Sequence, residues 1–419
     1  NFKLNINFCF IYSLSVSILA YPTSGTPFVD HHSAFFSLIG TFFLILAIKK
    51  EQKLYWILLP FFFIFAFFSK QVPALYIIFS SSIILIIYTW NNKNFKWLKY
   101  SLPSFILSIL ILTIIGFLQG ISFEFFIEQY ILYPQTLGAE RYSDIEVSYK
   151  NIFSRFAFIY TALIPLLYIN LNKIFSQKKY FRDKDFFYFL ILFFLTISLI
   201  FHQLLTKNQI FIFFLIPIIT AFSHISLIKY SEKSKKIIFL ILFFCLFSTF
   251  KYHFRFNEDR KFHELSNVDF DLVIPAKAID NKFLGLKWIT SGYKNNPETE
   301  IKLILDIKEY LENDKRKKMI MTHYTFFSAI LDQKIFSPTR FFTQHGVSHP
   351  LKGNKYFYKY RDFVIKKIVR NNIEVIYTIK PVDPYFPKEL LDEKCIKSFS
   401  INSILDAHLI LECDNFKLK

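Results

Sequence analysis

Long apolar runs separated by short polar loops dominate the first 250 residues. They fall at about 6–20, 33–48, 54–69, 73–90, 100–118, 151–171, 186–204, 209–228 and 237–250. Each is long enough, or nearly so, to cross a bilayer as a helix. The pattern predicts about nine membrane spans in residues 1–250. Beyond residue 251 the long runs stop and charge rises. "ETEIKLILDIKEYLEND" carries apolar residues at helical spacing and "KKMIMT" (317–322) reads as a short strand. "KYRDFVIKKIVRNN" reads as a second helix and "IEVIYTIK" (373–380) as a second strand. Alternation of this kind predicts a small α/β domain over 251–419. No internal repeat is evident.

The loops alternate in charge. "KKEQK" (49–53), "NNKNFKWLK" (91–99), "NKIFSQKKYFRDK" (172–184) and "KYSEKSKK" (229–236) hold about 15 Lys and Arg, and the intervening set only about four. Basic loops stay cytoplasmic, so the other loops and the C-terminal domain are expected outside. The long outer loop 119–150 begins with Ile121, Phe125, Phe126, Tyr130 and Ile131 at near-helical spacing, as in a helix lying on the membrane surface.

Composition agrees. Of 419 residues, 53% are apolar, 20% are aromatic and 56 are Phe, with a mean hydropathy of +0.33. The net charge of +18 divides into 21 Lys+Arg against 10 Asp+Glu up to residue 250, and 29 against 22 after it. Basic charge confined to the short loops of an apolar half argues for a membrane and against nucleic acid. Of four cysteines, Cys9 and Cys245 lie in predicted spans; Cys395 and Cys413 lie in the outer domain, as a disulfide or as two reduced thiols. The chain starts at Asn1, and we expect it to be a fragment lacking N-terminal spans.

Candidate chemistry begins at "YPTSGTPFVDHHSAFF" (21–36), where Asp30, His31 and His32 sit at the lip of an apolar run. A carboxylate and an imidazole can share a divalent cation of the Mn²⁺, Mg²⁺ or Zn²⁺ kind; Asp is also a favoured helix cap. Lys70 in "FFSKQVPALY" and Lys207 in "LLTKNQIFIFFLIPI" stand at outer ends of spans, where a Lys either meets a phosphate or snorkels to the headgroups. Arg141 in the outer loop is a third candidate phosphate group. Glu124 and Glu128 read best as facing water. His323, His345 and His349 read best as ordinary loop histidines. No Gly-rich phosphate loop, Gly-x-Ser-x-Gly elbow or Cys-x-x-Cys pair is present.

"VDHHSAFF" resembles the second acidic motif of GT-C type membrane glycosyltransferases, in the Asp-His-His form of archaeal oligosaccharyltransferase catalytic subunits; the wider resemblance extends to dolichyl-phosphate-mannose-protein mannosyltransferase-like enzymes. It implies a GT-C-like membrane domain followed by an extracytoplasmic domain. It implies a divalent metal on Asp30 and His32, and a polyprenyl-phosphate sugar donor met by Lys70, Arg141 and Lys207. Catalysis would move the sugar to a glycan or lipid acceptor on the outer side of the cytoplasmic membrane. The family's acidic base lies in the first outer loop, upstream of the motif, so it is expected to be missing from this chain. "TKNQIFIFFLIPI" is similar to the start of a late helix in bacterial GT-C enzymes, with Lys207 where an Arg commonly stands. The competing readings are a transporter or flippase, which predicts broken helices and inverted repeats, and a non-catalytic envelope scaffold with an outer binding domain.

Overall fold

The computed structural model describes residues 4–20, 29–143, 145, 148–177, 180–206, 211–230, 235–255, 265, 267–339, 341–342 and 348–411; the side chains of residues 138–141, 143 and 230 lie outside that description. The chain divides into two compact units, Asn1–Ser266 and Asn267–Lys419. The division falls later than residue 250, because the last apolar helix runs on to Phe254.

The first unit is helical. Its elements are α1 (Ile6–Leu19), α2 (Val29–Lys50), α3 (Lys53–Ser69), α4 (Gln71–Asn92) and α5 (Leu98–Leu118). There follows a broken segment of α6 (Phe123–Phe126), a π-helical turn over Ile127–Leu132 and α7 (Tyr133–Ser143). Then come α8 (Ala157–Ser176), α9 (Lys184–Thr206), α10 (Leu215–Tyr230) and α11 (Lys235–Phe254). Each predicted apolar run contains a helix among the described residues. Six of them, α2, α4, α5, α8, α9 and α11, are long and apolar enough to cross a membrane; α1, α3 and α10 are apolar but shorter. At 1.5 Å per residue, the 14 residues of α1 reach about 21 Å against a hydrocarbon core of about 30 Å.

The helices pack through small residues. On α2, Ser33, Ala34, Ser37, Gly40 and Thr41 are all buried, which lets α3 approach closely. Gly40 is required there: a Cβ on it would stand 2.6 Å from the ring of Phe63. Many buried hydroxyls bond back to the preceding turn, as Thr41 Oγ1 does to Ser37 O at 2.8 Å and Thr196 Oγ1 to Leu192 O at 2.8 Å, which satisfies them within the helix. Large apolar side chains such as Phe79, Phe105, Phe117 and Phe239 face outward. An outer shell of this kind suits lipid and not water.

The charged loops gather at one end of the bundle. There Lys184 pairs with Glu51 at 2.8 Å, and Lys229 pairs with Asp185 at 2.6 Å. These residues belong to the basic loops that bound α2, α3, α9 and α10. The N-terminus of α2, the α3–α4 junction and the C-terminus of α9 meet at the opposite end. The alternation read from the sequence is thus a spatial separation of the two loop sets.

The second unit is a small α/β domain. Its elements are β1 (Ile274–Pro275), β2 (Lys287–Trp288), α12 (Pro297–Asn313), β3 (Lys318–Met321), α13 (Phe327–Ile330), α14 (Phe357–Asn371), β4 (Val375–Ile379), α15 (Phe386–Leu390), β5 (Ile396–Ser400) and β6 (Leu405–Ile410). The main sheet has the order β3-β4-β6-β5, with β3 and β4 parallel and the other pairs antiparallel. Side chains alternate across it. Ile320, Val375, Tyr377 and Ile379 join the Ile301, Ile304, Ile307 and Leu311 stripe of α12 on one face. Met319, Met321 and Ile376 join Phe357, Tyr360, Val364 and Ile368 of α14 on the other. Asn296 caps α12 by accepting from Thr299 N at 3.3 Å, with Pro297 at the first helical position. Cys395 is disulfide-bonded, and Cys413 lies outside the described residues.

Candidate functional site

The polar end of the first unit is built around a break in the chain. Lys70, between α3 and α4, is extended (φ −162°, ψ 140°), and so is Val72 (φ −119°, ψ 136°). Pro73 follows Val72 and disfavours helical backbone at the residue before it. The segment Ser69-Lys70-Gln71-Val72 therefore interrupts what would otherwise be one long apolar helix. The interruption points the Lys70 side chain at the first turn of α2. Ser33 Oγ of α2 donates to Lys70 O at 2.9 Å and holds the two elements together.

Lys70 Nζ donates to Asp30 Oδ1 at 2.6 Å. The Asp30 side chain is 2% exposed and the Lys70 side chain 22%. Nε2 of His202, fully buried on α9, stands 3.7 Å from the same carboxylate oxygen, outside direct hydrogen-bond range. Thr206 Oγ1 donates to His202 O at 2.8 Å one turn further on. A carboxylate at the start of a helix also gains from the helix dipole. Three elements thus converge on one buried anion, and its ammonium partner keeps an edge toward the outside.

The broken segment after α5 closes over the same junction. Gln71 Nε2 donates to Tyr130 O within the π-helical turn, and Tyr130 OH donates to Phe67 O at 2.6 Å. Phe68, Phe126 and Tyr130 stack, with centroids 5.2 to 6.1 Å apart. A π turn frees a backbone carbonyl from the helical ladder, and here the Gln71 side chain takes it. Glu124 is exposed, as expected, whereas Glu128 is buried, against the expectation that both face water.

The geometry does not bring the expected pair of Asp30 and His32 together. Residues two apart on an α-helix lie on nearly opposite faces, and both belong to α2: Asp30 is buried and His32 exposed. The pair does not form a ligand set, and no group of three His, Cys, Asp or Glu able to hold a metal occurs among the described residues. An ammonium already occupies the Asp30 oxygen.

Of the three expected phosphate groups, Lys70 joins the cluster. Arg141 lies on α7, with its side chain outside the described residues; Lys207 lies outside them altogether, following Thr206 at the end of α9. His345 is likewise outside them. The His349 ring is buried against Phe342 and Phe386, and burial lowers its pKa to about 4. The sequence reading missed His202. The available signal was "FHQLLT", a His-Gln pair within an apolar run, since ionisable groups in spans rarely lack a use.

Compared with known protein families, curated proteins and solved structures, the chain matches none.

Proposed function

We propose that the helical unit is a GT-C-like glycosyltransferase that takes its sugar from a polyprenyl-phosphate donor and passes it to a glycan or lipid acceptor on the outer side of a membrane. The observation that carries the reading is the Asp30–Lys70 pair, 2.6 Å apart, at the bundle end away from the basic loops, its carboxylate inside the "VDHHS" segment that resembles the family. Lys70 is the group that meets the donor phosphate. As an acceptor hydroxyl attacks the anomeric carbon, the bond from that carbon to the phosphate oxygen breaks. The electron pair leaves with polyprenyl phosphate, and the hydroxyl proton goes to a base outside the Asp30–Lys70–His202 cluster. An ammonium fixed beside the leaving oxygen favours that charge, most strongly where water is scarce. Asp30 and His202 are positioning residues, which hold the ammonium where the chain breaks.

A second reading has an observation of its own. Extended backbone between two apolar helix ends, beside a buried charge, is a feature of carriers, so a flippase for the same lipid phosphate is the alternative.

One reconstitution separates them. The full chain, in nanodiscs, is mixed with a short-chain polyprenyl phosphate and with phosphatidylglycerol, and retention is read by native mass spectrometry. The wild type is expected to retain the polyprenyl phosphate preferentially. Lys70→Ala should weaken retention about tenfold, while Lys93→Ala, in a basic loop, leaves it unchanged. No preference in the folded wild type, or equal retention by Lys70→Ala, would overturn the assignment of Lys70. Proteoliposomes supplied with the sugar-loaded lipid then decide the class: released polyprenyl phosphate marks a transferase, and intact lipid crossing the bilayer marks a flippase.

A further inference from the structure

The second unit holds a cleft that nothing in the membrane unit's chemistry uses. Its cavity is about 910 Å³, at the upper end of the range for small-molecule sites. It opens where the two parallel strands end: Thr322, His323 and Tyr324 follow β3, and Lys380 to Asp383 follow β4. In α/β sheets, ligands bind beyond the carboxyl ends of parallel strands.

The floor is Glu300, in the first turn of α12 and 1% exposed. Its carboxylate is held by three neutral donors. Tyr324 OH reaches Oε1 at 2.8 Å; Trp288 Nε1 and Thr290 Oγ1 reach Oε2 at 3.0 and 2.8 Å. No described Lys or Arg lies within ion-pair distance of it. A carboxylate offers about four acceptor positions, so this one is fixed in place and still has acceptor capacity. Around it stand ring faces: Tyr293, Tyr324, and His323 packed on Tyr324 with centroids 4.1 Å apart. The rim carries charges of both signs on exposed side chains, Lys352 and Lys380 with Asp383 and Glu389.

We infer that this cleft is a saccharide-binding site, taking one to a few sugar rings of a neutral or amine-bearing glycan. A sugar is the ligand that uses every part of it. Its hydroxyls or amine meet the fixed carboxylate, its C–H faces lie on the rings, and its remaining hydroxyls find donors and acceptors on the rim. An apolar ligand would leave the remaining acceptor position of the Glu300 carboxylate without a donor, which is costly. An anionic phosphate ligand would face a like charge on the floor. A simple amine would satisfy the carboxylate and leave the rings and rim unused. The inference stands whatever reaction the helical unit performs.

The test uses the full chain in nanodiscs on an array of neutral, N-acetylated, amine-bearing and phosphorylated oligosaccharides. The wild type is expected to bind at least one neutral, N-acetylated or amine-bearing class. Tyr293→Ala, Lys380→Ala and Glu300→Gln should each weaken that binding about tenfold or more. Lys302→Ala, on the exposed side of α12, and Lys93→Ala, in a basic loop of the helical unit, should leave it unchanged. A thermal melt reports folding, and Tyr293→Ala and Lys380→Ala keep the test open if Glu300→Gln does not fold. Absence of saccharide binding by the folded wild type, binding unaltered in the cleft variants, binding to phosphorylated glycans alone, or an equal loss in Lys302→Ala would each overturn it.

Discussion

Asp30 and Lys70 are 40 positions apart in sequence and 2.6 Å apart in space, and their energetics are those of a desolvated pair. Removing the cation alone strands the carboxylate, which costs about 3–5 kcal/mol in well-buried pairs. Lys70→Met is therefore expected to lower the melting temperature of the purified chain sharply. Asp30→Asn combined with Lys70→Met should recover most of that loss, because no charge is left unpaired. A double variant as unstable as the single one would show that the pair's charge is not what matters. Gly40 gives a second residue-scale expectation. An added methyl meets the Phe63 ring at 2.6 Å, so Gly40→Ala should cost about 1–3 kcal/mol, as overpacking does, and adding Phe63→Leu should relieve it. At this scale the sequence was half legible. It marked Asp30 and Lys70 separately, each as a polar residue at the end of an apolar run. It could not pair them, because which residue meets Asp30 depends on the turn at Val72-Pro73 and on the approach of α9. It chose His32 as the partner because it was adjacent; the helical phase turns His32 outward and leaves His202, from a distant span, beside the carboxylate.

Elements were more legible than partners. Each apolar run contains a helix among the described residues, because a run of this length and composition has few alternatives in a low-dielectric environment, where backbone groups must bond within the segment. Span length was less legible. Apolar residues continue past helix ends, as at Phe211–Phe214 before α10, and composition cannot separate them from the helix. In the second unit, the α12 and α14 stripes and the β3 and β4 runs fall within a residue or two of their expected bounds. The strands β5 and β6 were not foreseen: "IKSFS" and "LDAHLI" are short, mixed in polarity and paired only with each other and β4. One contact that no pattern reveals fastens α12 to β3. Lys318, 1% exposed, turns its ammonium back on the helix end, donating to Leu311 O at 2.5 Å, to Asp314 O, and to Gln333 Oε1 at 2.6 Å. These are carbonyls that a helix C-terminus leaves without partners. Lys318→Met keeps the stem and removes the donor. It should destabilise the second unit by about 1–3 kcal/mol, read as faster hydrogen exchange in the last turn of α12. Unchanged exchange there would mean that water replaces the ammonium at no cost.

The whole molecule joins a unit built for lipid to a unit built for water, and acid should distinguish them. Two histidines are buried in the second unit and held neutral by burial, with pKa values lowered from 6.5 to about 4: His349 among aromatic rings, and His408 between Thr378 Oγ1 at 2.9 Å and Ser398 Oγ at 2.8 Å. Around His408, Asp406 favours the proton and Lys388 opposes it, both more weakly than burial does. In the unfolded chain each histidine takes up a proton near pH 6.5, and in the folded unit only near pH 4. Between those values the unfolded state binds more protons, so stability rises with pH and is lost as pH falls through that window. A shift of this size corresponds to about 3 kcal/mol per histidine. The carboxylates act below the same window. Hydrogen bonds and ion pairing from Lys308 to Asp280, and from Arg316 and Tyr377 to Asp314, lower those pKa values from 3.8, so their contribution is present above that value and fades only as pH falls further. The expected result is a urea midpoint for the second unit, read by hydrogen exchange of β4 and β6 in the full chain, that drops steeply from pH 6.5 to 4.5. His349→Gln and His408→Gln should each flatten that drop, most clearly in combination. A drop between pH 6.5 and 4.5 that persists with both histidines replaced would place the acid sensitivity in groups other than these two rings, and a flat profile in the wild type would show that the two rings are reached by water and protonate without unfolding.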